Sequence, residues 1–271
     1  MPVRDMGTTI GAQLAALARQ DYPGIWELVV VDNGSRDDSM AVVDRWRERL
    51  PMRVLQADAV AECGYAKSAG AAIALGELLV FCDADDEVRP DWLRAMVGAL
   101  QRAPLVAGVF DYVKLNPPEI AAKYERADYT APRWGYLPSG TGANLGVRRS
   151  LFEQLGRFRV GSRADTALCW RAQLAGYQLV FEPAAVVDRR LKALTPRRMF
   201  VLSIADGRAI VRHYQEFRAH GMRRSPLRDV VYDYGMVPVQ LATGRRFEAA
   251  QIAGTRLGRW IGSIRLRSLC P

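Results

Sequence analysis

Asp83, Asp85 and Asp86 follow directly on a short apolar run of Leu78, Leu79, Val80, Phe81 and Cys82. Carboxylates this close repel one another unless a cation or hydrogen-bond donor sits among them. Two acids separated by one residue can turn toward one point around a tight bend. Oxygen ligands in that arrangement suit a divalent ion of the Mg2+ or Mn2+ type, which keeps coordination positions for substrate phosphates. The same residues also fit a solvated loop in which Asp86 or Asp91 caps the next helix. For an isolated Asp-x-Asp the capping reading is the commoner one, so the rest of the chain has to decide.

The apolar run has the length of a buried strand, and strand-like and helix-like stretches alternate around it. Residues 7–20 place Ile10, Leu14 and Leu17 at helical spacing. Leu28, Val29, Val30 and Val31 then run without interruption into Asp32, a pattern that suits a parallel strand covered on both faces. Ser35 or Asp37 is placed to cap a helix through Val42, Val43 and Trp46 that stops before Pro51. Residues 52–56 read as a strand, residues 64–75 as a helix of small residues, and residues 105–113 as a further strand. Pro90 stands in the first turn of a helix that includes Trp92. This alternation predicts an α/β fold with a doubly wound, mostly parallel central sheet. Sites in such sheets form at the carboxyl ends of the strands. Asp32 and Asp83 end two of them, so they are expected to share one crevice. A strand is also expected before the first helix, beside residues 28–32. Only residues 1–5 stand there, so that first strand is expected to be missing or replaced by another segment.

The chain has 271 residues, 49% of them hydrophobic, enough for a large core. No apolar stretch approaches the roughly 18–20 residues that cross a bilayer, and no signal peptide is expected. Cys63, Cys82, Cys169 and Cys270 have no paired spacing, which argues against a zinc site or a disulfide framework and for reduced thiols in a cytoplasmic protein. The net charge of +9 is uneven: from Arg189 onward 17 Lys and Arg face five Asp and Glu. Such asymmetry suggests an anionic partner for the tail. No nucleic-acid-binding module accompanies it, so no nucleic-acid partner is expected. His213 and His220 lack partner acids at ligand spacing and read as surface residues.

Residues 2–190 resemble a family 2 glycosyltransferase with the GT-A nucleotide-diphospho-sugar transferase fold. The resemblance is carried by several segments in order: Val29 to Ser35, Gly64 to Gly70, Asp83-Ala84-Asp85, Gly140 to Gly146, and Arg163 to Arg171. It implies a catalytic domain over residues 1–195 and a helical, basic extension over residues 196–271. It also implies an inverting, metal-dependent hexosyltransferase acting on a nucleotide sugar, of the UDP-sugar class, and on a saccharide or lipid-linked acceptor of the cell envelope. By the same resemblance Asp165 is the general base, although its place after Gly161-Ser162-Arg163 at a helix start equally fits an N-cap. Val3, Asp32 and Lys67 line the donor, Asp83 touches ribose and metal, and Asn144 orients a sugar hydroxyl; read as residues alone, Asp32 also fits an Asx-turn, Lys67 a solvated helix face and Asn144 a turn. Read as residues, Trp170, Trp134 and Tyr136 fit either a stacking surface for an acceptor sugar or the core, which is the commoner place for aromatic side chains. By the resemblance, Mn2+ or Mg2+ is held by Asp83, Asp85 and Asp188, the last standing where relatives carry histidine. Ala164 and Ala167 replace acids usual around the base, which leaves open a second reading: a relative that binds sugars or partners without turnover. In the tail, Ile252, Leu257, Trp260, Ile261 and Ile264 recur near helical spacing among Arg256, Arg259, Arg265 and Arg267. That pattern fits either a peripheral anchor on the inner face of an anionic membrane or a cap with arginines toward solvent.

Overall fold

The computed structural model describes residues 1–122, 131–192, 194–267 and 270. The elements in order are β1 (Pro2–Val3), α1 (Ile10–Leu17), β2 (Leu28–Asp32), α2 (Ser39–Asp44), β3 (Met52–Gln56), α3 (Cys63–Ile73), β4 (Leu78–Cys82), β5 (Glu87–Val88) and α4 (Trp92–Arg102). They continue with β6 (Leu105–Asp111), α5 (Pro118–Ala121), β7 (Asn144–Arg148), α6 (Arg149–Gln154), α7 (Ala164–Leu174), β8 (Leu179–Asp188), α8 (Pro196–Phe217), α9 (Leu227–Ala242) and α10 (Arg246–Leu266). The chain divides into two units. One comprises Met1–Arg133, Leu137–Val160 and Ala164–Leu191; the other comprises Trp134–Tyr136, Gly161–Arg163 and Lys192–Pro271.

Two sheets build the first unit. The strands β1, β2 and β3 lie side by side and parallel, with Pro2 opposite Val31 and Leu28 opposite Met52. The second sheet has the order β4-β7-β6-β8-β5 and is mixed: β6 and β8 are parallel, while β4–β7, β6–β7 and β5–β8 are antiparallel. The expectation of a mostly parallel sheet thus describes the first sheet only. The reason is β7, which inserts between β4 and β6 and runs against both. Where a first strand was expected to be missing, a two-residue β1 pairs with the end of β2.

Continuous apolar strands become the core because helices cover both faces. One cluster joins Ile10 and Leu14 of α1, Val30 of β2, and Trp92, Met96 and Leu100 of α4. A second joins Phe81 of β4, Leu105 of β6, Leu145 of β7 and Phe152 of α6 with Leu168 of α7. Phe81, Phe152 and Phe158 meet edge-on or tilted, with ring centroids 5.0–5.5 Å apart, a geometry favoured by the ring quadrupoles. All four cysteines are free thiols.

The second unit is helical. Thr195 Oγ1 accepts the Arg198 N–H at 3.2 Å and Pro196 takes the first turn, so the start of α8 is fixed by local chemistry. Two readings from the sequence are corrected here. His213 is not a surface residue: it is 2% exposed, its ring lies 5.6 Å from that of Trp134, and Nε2 is 3.1 Å from the Arg163 carbonyl. Helical packing put it inside, which its polarity did not foretell. Arg256 and Arg259 likewise do not face solvent. Arg256 is buried and bonds Asp233, and Arg259 bonds the Cys270 carbonyl and Ser225 Oγ.

Candidate active site

The acids that end β4 form a cluster. Ligand oxygens of Asp83, Asp85 and Asp86 lie within 4.8 Å of one another. The turn that presents them is held from below by Gln13 of α1, which is fully buried. Its Nε2 donates to the Asp83 carbonyl at 2.9 Å and its Oε1 accepts the Val88 N–H at 3.0 Å. Arg190, just after β8, holds the other side: its N–H donates to Asp86 Oδ1 at 2.9 Å and its Nε to the Asp85 carbonyl at 3.2 Å. Burial pushes the Asp86 carboxyl up to about 7, against the opposing pull of Arg189 and of the Arg190 N–H.

Lys67, on α3, reaches this cluster through the interior. Its Nζ donates to Asp83 Oδ1 at 2.7 Å and to the Gly142 carbonyl at 2.6 Å. Burial alone would lower the ammonium pKa, but the surrounding negative groups, Asp83 foremost, together outweigh it and the net shift is upward. Burial would also raise Asp83. Lys67, joined by Arg189, more than offsets it, so the carboxyl sits below its usual range. The pair is therefore charged on both sides. Gly142 carries the link onward: its N–H donates to Asp165 Oδ2 at 2.8 Å, while Asp165 Oδ1 accepts the Thr166 N–H at 2.8 Å. One peptide group thus joins the lysine that neutralises Asp83 to the carboxylate that opens α7.

Of the residues expected from the sequence, the structure brings Asp83, Asp85, Lys67 and Asp165 into this network. Asp32, at the end of β2, is half-buried and its Oδ1 accepts the Ser35 N–H at 2.8 Å. Val3 is buried, and its carbonyl accepts the Asn33 N–H at 2.8 Å. Three expectations are corrected. The Asn144 side chain is fully buried and bonded throughout: Oδ1 accepts the Trp92 indole N–H at 2.8 Å, and Nδ2 donates to the Val109 and Ala185 carbonyls at 2.8 and 3.0 Å. It stitches α4, β6 and β8 together and has no group left for a sugar. Trp170 is also fully buried, with Nε1 donating to the Leu137 carbonyl at 2.9 Å, so its face is in the core. Asp188 lies outside the acid cluster and is ion-paired to Arg89 and Lys114 at 3.0 and 3.3 Å.

Ala167 is 3% exposed and Ala164 packs against the second core cluster. Sequence reasoning missed Gln13, Arg189 and Arg190. Gln13 had a signal, a polar residue three positions from Ile10 on the apolar face of its helix. The arginines had one too, a basic pair following an acid at a strand end.

Three clustered carboxylates, one of them already paired to a lysine, form an all-oxygen donor set that fits a hard divalent cation. The set is joined through Lys67 and Gly142 to the carboxylate of Asp165 at the start of α7, on an α/β fold. The profile of Glycosyl transferase family 2 matches residues 1–156, more than half of the chain, and the chain belongs to that family.

Its sequence is similar to the poly(ribitol-phosphate) β-N-acetylglucosaminyltransferase TarS of Staphylococcus aureus, 34% identical over 84 residues, covering 30% of this chain and 14% of TarS. It is also similar to the succinoglycan biosynthesis protein ExoM of Rhizobium meliloti, 26% identical over 231 residues, covering 78% of this chain and 73% of ExoM. The match to TarS, like that to an uncharacterized Nostoc glycosyltransferase, spans less than a third of the relative's length. Among solved structures, the mannosyltransferase PcManGT from Pyrobaculum calidifontis, in complex with GDP-Man and Mn2+, superposes with a TM-score of 0.63 at 22% identity, over 99% of this chain and 74% of that one.

Proposed function

We propose that this chain transfers a sugar from a nucleotide-diphospho-sugar to an acceptor hydroxyl, with a divalent cation and inversion at the anomeric carbon. The observation that carries the proposal is the continuous connection from the Asp83, Asp85 and Asp86 cluster through Lys67 and Gly142 to Asp165. It supports a donor diphosphate at one end and an acceptor hydroxyl at the other.

In this reading Asp85 and Asp83 hold Mn2+ or Mg2+, which when bound neutralises the leaving diphosphate. Lys67 keeps Asp83 ionised and fixes its rotamer. Asp165, held by two backbone N–H groups, accepts the proton of the attacking hydroxyl, and a fixed carboxylate on that side suits direct displacement. Asp32 is a hydrogen-bond acceptor for the nucleoside. The UDP-GlcNAc complex of TarS 1–349 and the GDP-Man complex of PcManGT agree with a nucleotide-sugar donor, and TarS, a poly(ribitol-phosphate) transferase, and ExoM, a protein of succinoglycan biosynthesis, agree with a hydroxyl-rich polymer or its precursor as acceptor.

The test is donor hydrolysis and transfer across a panel of labelled nucleotide sugars with Mn2+. Asp85→Ala is expected to abolish metal-dependent hydrolysis. Asp165→Asn is expected to keep donor binding and to lose about 10²–10⁴-fold in transfer. Failure of the folded wild-type protein to bind any donor would sink the proposal. A protein that binds donor with metal yet never turns over would favour the non-catalytic reading instead.

A second element of the proposal is a membrane-facing tail. It is supported by α9, where Leu227, Val231, Tyr234 and Leu241 follow helical spacing and are all exposed. Apolar residues on an exposed helix, within a basic segment, suit an anionic bilayer surface.

A further inference from the structure

The second unit holds a cavity of about 410 Å3, and all of its lining residues belong to that unit. Arg259 of α10 stands at the wall beside two of its own hydrogen-bond partners, Ser225 and Cys270. It is 5% exposed. A guanidinium has five N–H donors, and three of these are engaged: Nε with the Cys270 carbonyl at 3.0 Å, Nη1 with Ser225 Oγ at 2.8 Å and Nη2 with Cys270 Sγ at 3.4 Å. None of these partners is a carboxylate. Among the described residues no acid pairs with Arg259, and one N–H on each terminal nitrogen has no partner. Arg256, on the same helix, is buried as deeply but bonds Asp233. A buried charge without a counter-charge is costly.

The surroundings add positive charge. Arg223 and Arg224 also line the cavity, are exposed, and have no carboxylate partner among the described residues. Arg224 rests on the Tyr214 ring, and its Nε donates to the Tyr214 hydroxyl at 2.9 Å. The start of α9 meets the same wall, through Ser225, Pro226 and Asp229. No side chain caps that helix, and the Leu227 and Arg228 N–H groups have no partner among the described residues. Its positive end is therefore open to an anion. Asp229, the one carboxylate of the wall, is ion-paired to Arg228 at 3.4 Å. Trp134, Ile210 and Met222 supply an apolar part of the lining.

We propose that this cavity binds a phosphate group, carried by an organic phosphoester whose body lies against Trp134, Ile210 and Met222. Arg223, Arg224, Arg259, the Ser225 hydroxyl and the open helix start together offer more donors than the two oxygens of a carboxylate accept. A phosphoester presents three terminal oxygens and about 1.5 to 2 negative charges at neutral pH. Planar guanidiniums match such a group bidentately. Once bound, it supplies the counter-charge that Arg259 lacks. The wall shares no residue with the acids at the end of β4, so the site stands independently of the transfer reaction.

The probe is radiolabelled inorganic phosphate, bound to the full chain in equilibrium dialysis at constant ionic strength. EDTA is present, so that no metal-held phosphate at the acid cluster contributes. Saturable binding of a single phosphate per chain is expected. Arg223→Glu puts a negative charge at the wall without removing a bonded partner, and is expected to weaken binding at least about tenfold. Arg259→Lys keeps the charge but loses the planar fork, and a similar loss is expected. Arg197→Glu is the control: it stands in the first turn of α8, about 20 Å along the helix from Ile210. That exceeds the screening length, so affinity is expected to be unchanged. Where Arg259→Lys fails to fold, judged by far-UV circular dichroism, the exposed Arg223 decides. No saturable phosphate binding, or equal affinity in the wild type and Arg223→Glu, overturns the proposal. A loss in Arg197→Glu as large as in Arg223→Glu reduces the effect to net charge and also overturns it. Glycerol 3-phosphate and phosphatidic acid vesicles, each competing with labelled phosphate, separate a soluble ester from a lipid headgroup. Displacement by either supports the site and identifies its source, and displacement by neither overturns it.

Discussion

Asn144 and Lys67 show how differently two buried polar side chains can serve one site. Asn144 bonds three partners across α4, β6 and β8. Asn144→Ala leaves an indole N–H and two carbonyls unsatisfied in the core, at about 1–3 kcal/mol for each such group, not fully additive. A loss of about 3 kcal/mol in urea unfolding is expected, with donor affinity unchanged in the protein that remains folded. An affinity loss at full stability would restore Asn144 to substrate contact. Lys67→Met removes the partner of Asp83 and leaves a carboxylate facing an apolar side chain. Breaking a buried pair costs about 3–5 kcal/mol, and the lower end is expected because Asp83 is 26% exposed. Thermal unfolding should show the loss, and Lys67→Arg is not expected to repair it, because the ammonium fits between Asp83 and the Gly142 carbonyl as a point donor. The clustering of Asp83 and Asp85 was legible from their position after an apolar run. The partners of Asn144 and Trp170 were not, because a polar or aromatic residue reads the same whether its partner is a ligand or the protein's own backbone.

Helix packing decides the second unit. A Cβ at Gly258 of α10 would run into the Ile204 carbonyl of α8, and one at Gly207 of α8 into the Thr255 carbonyl of α10. Backbone sits against backbone there, so neither neighbour can rotate away. Gly258→Val is expected to destabilise by about 1–3 kcal/mol through overpacking, measured as a lower Tm. Gly235→Ala, where a Cβ meets nothing within 4 Å, is the control expected to be neutral or slightly stabilising. At the level of strands, β2 and β4 were readable from continuous apolar runs and β3 as a short strand, and their bounds matched the reading closely. The antiparallel insertion of β7 was not readable, since strand direction is settled by pairing with β4 and β6 and leaves no periodicity of its own.

Charge is the property that belongs to the molecule as a whole. The net charge of +9 is concentrated from Arg189 onward, in the same segment as the exposed apolar residues of α9. Among the described residues no helix is long and apolar enough to cross a membrane. Binding to vesicles containing anionic lipid is therefore expected to be peripheral and to weaken with salt, since exposed charges are screened beyond roughly 8–10 Å at physiological ionic strength. Co-sedimentation with anionic and neutral vesicles, for the wild type and for Val231→Asp with Leu241→Asp, checks this. Equal binding by both proteins, or no preference for anionic vesicles, would remove the membrane reading.

The sequence by itself determined the α/β class, the family and the acids at the end of β4, because strand periodicity, turn chemistry and motif order are local properties of the chain. Only the tertiary structure decided that Lys67 and Gly142 connect Asp83 to Asp165, that Asp188 is held by Arg89 and Lys114, and that Arg259 is buried at a cavity wall with no acid among the described residues paired to it. Each of these depends on which distant residues meet and on how deeply they are buried. Burial and pairing between distant segments leave no local pattern along the chain.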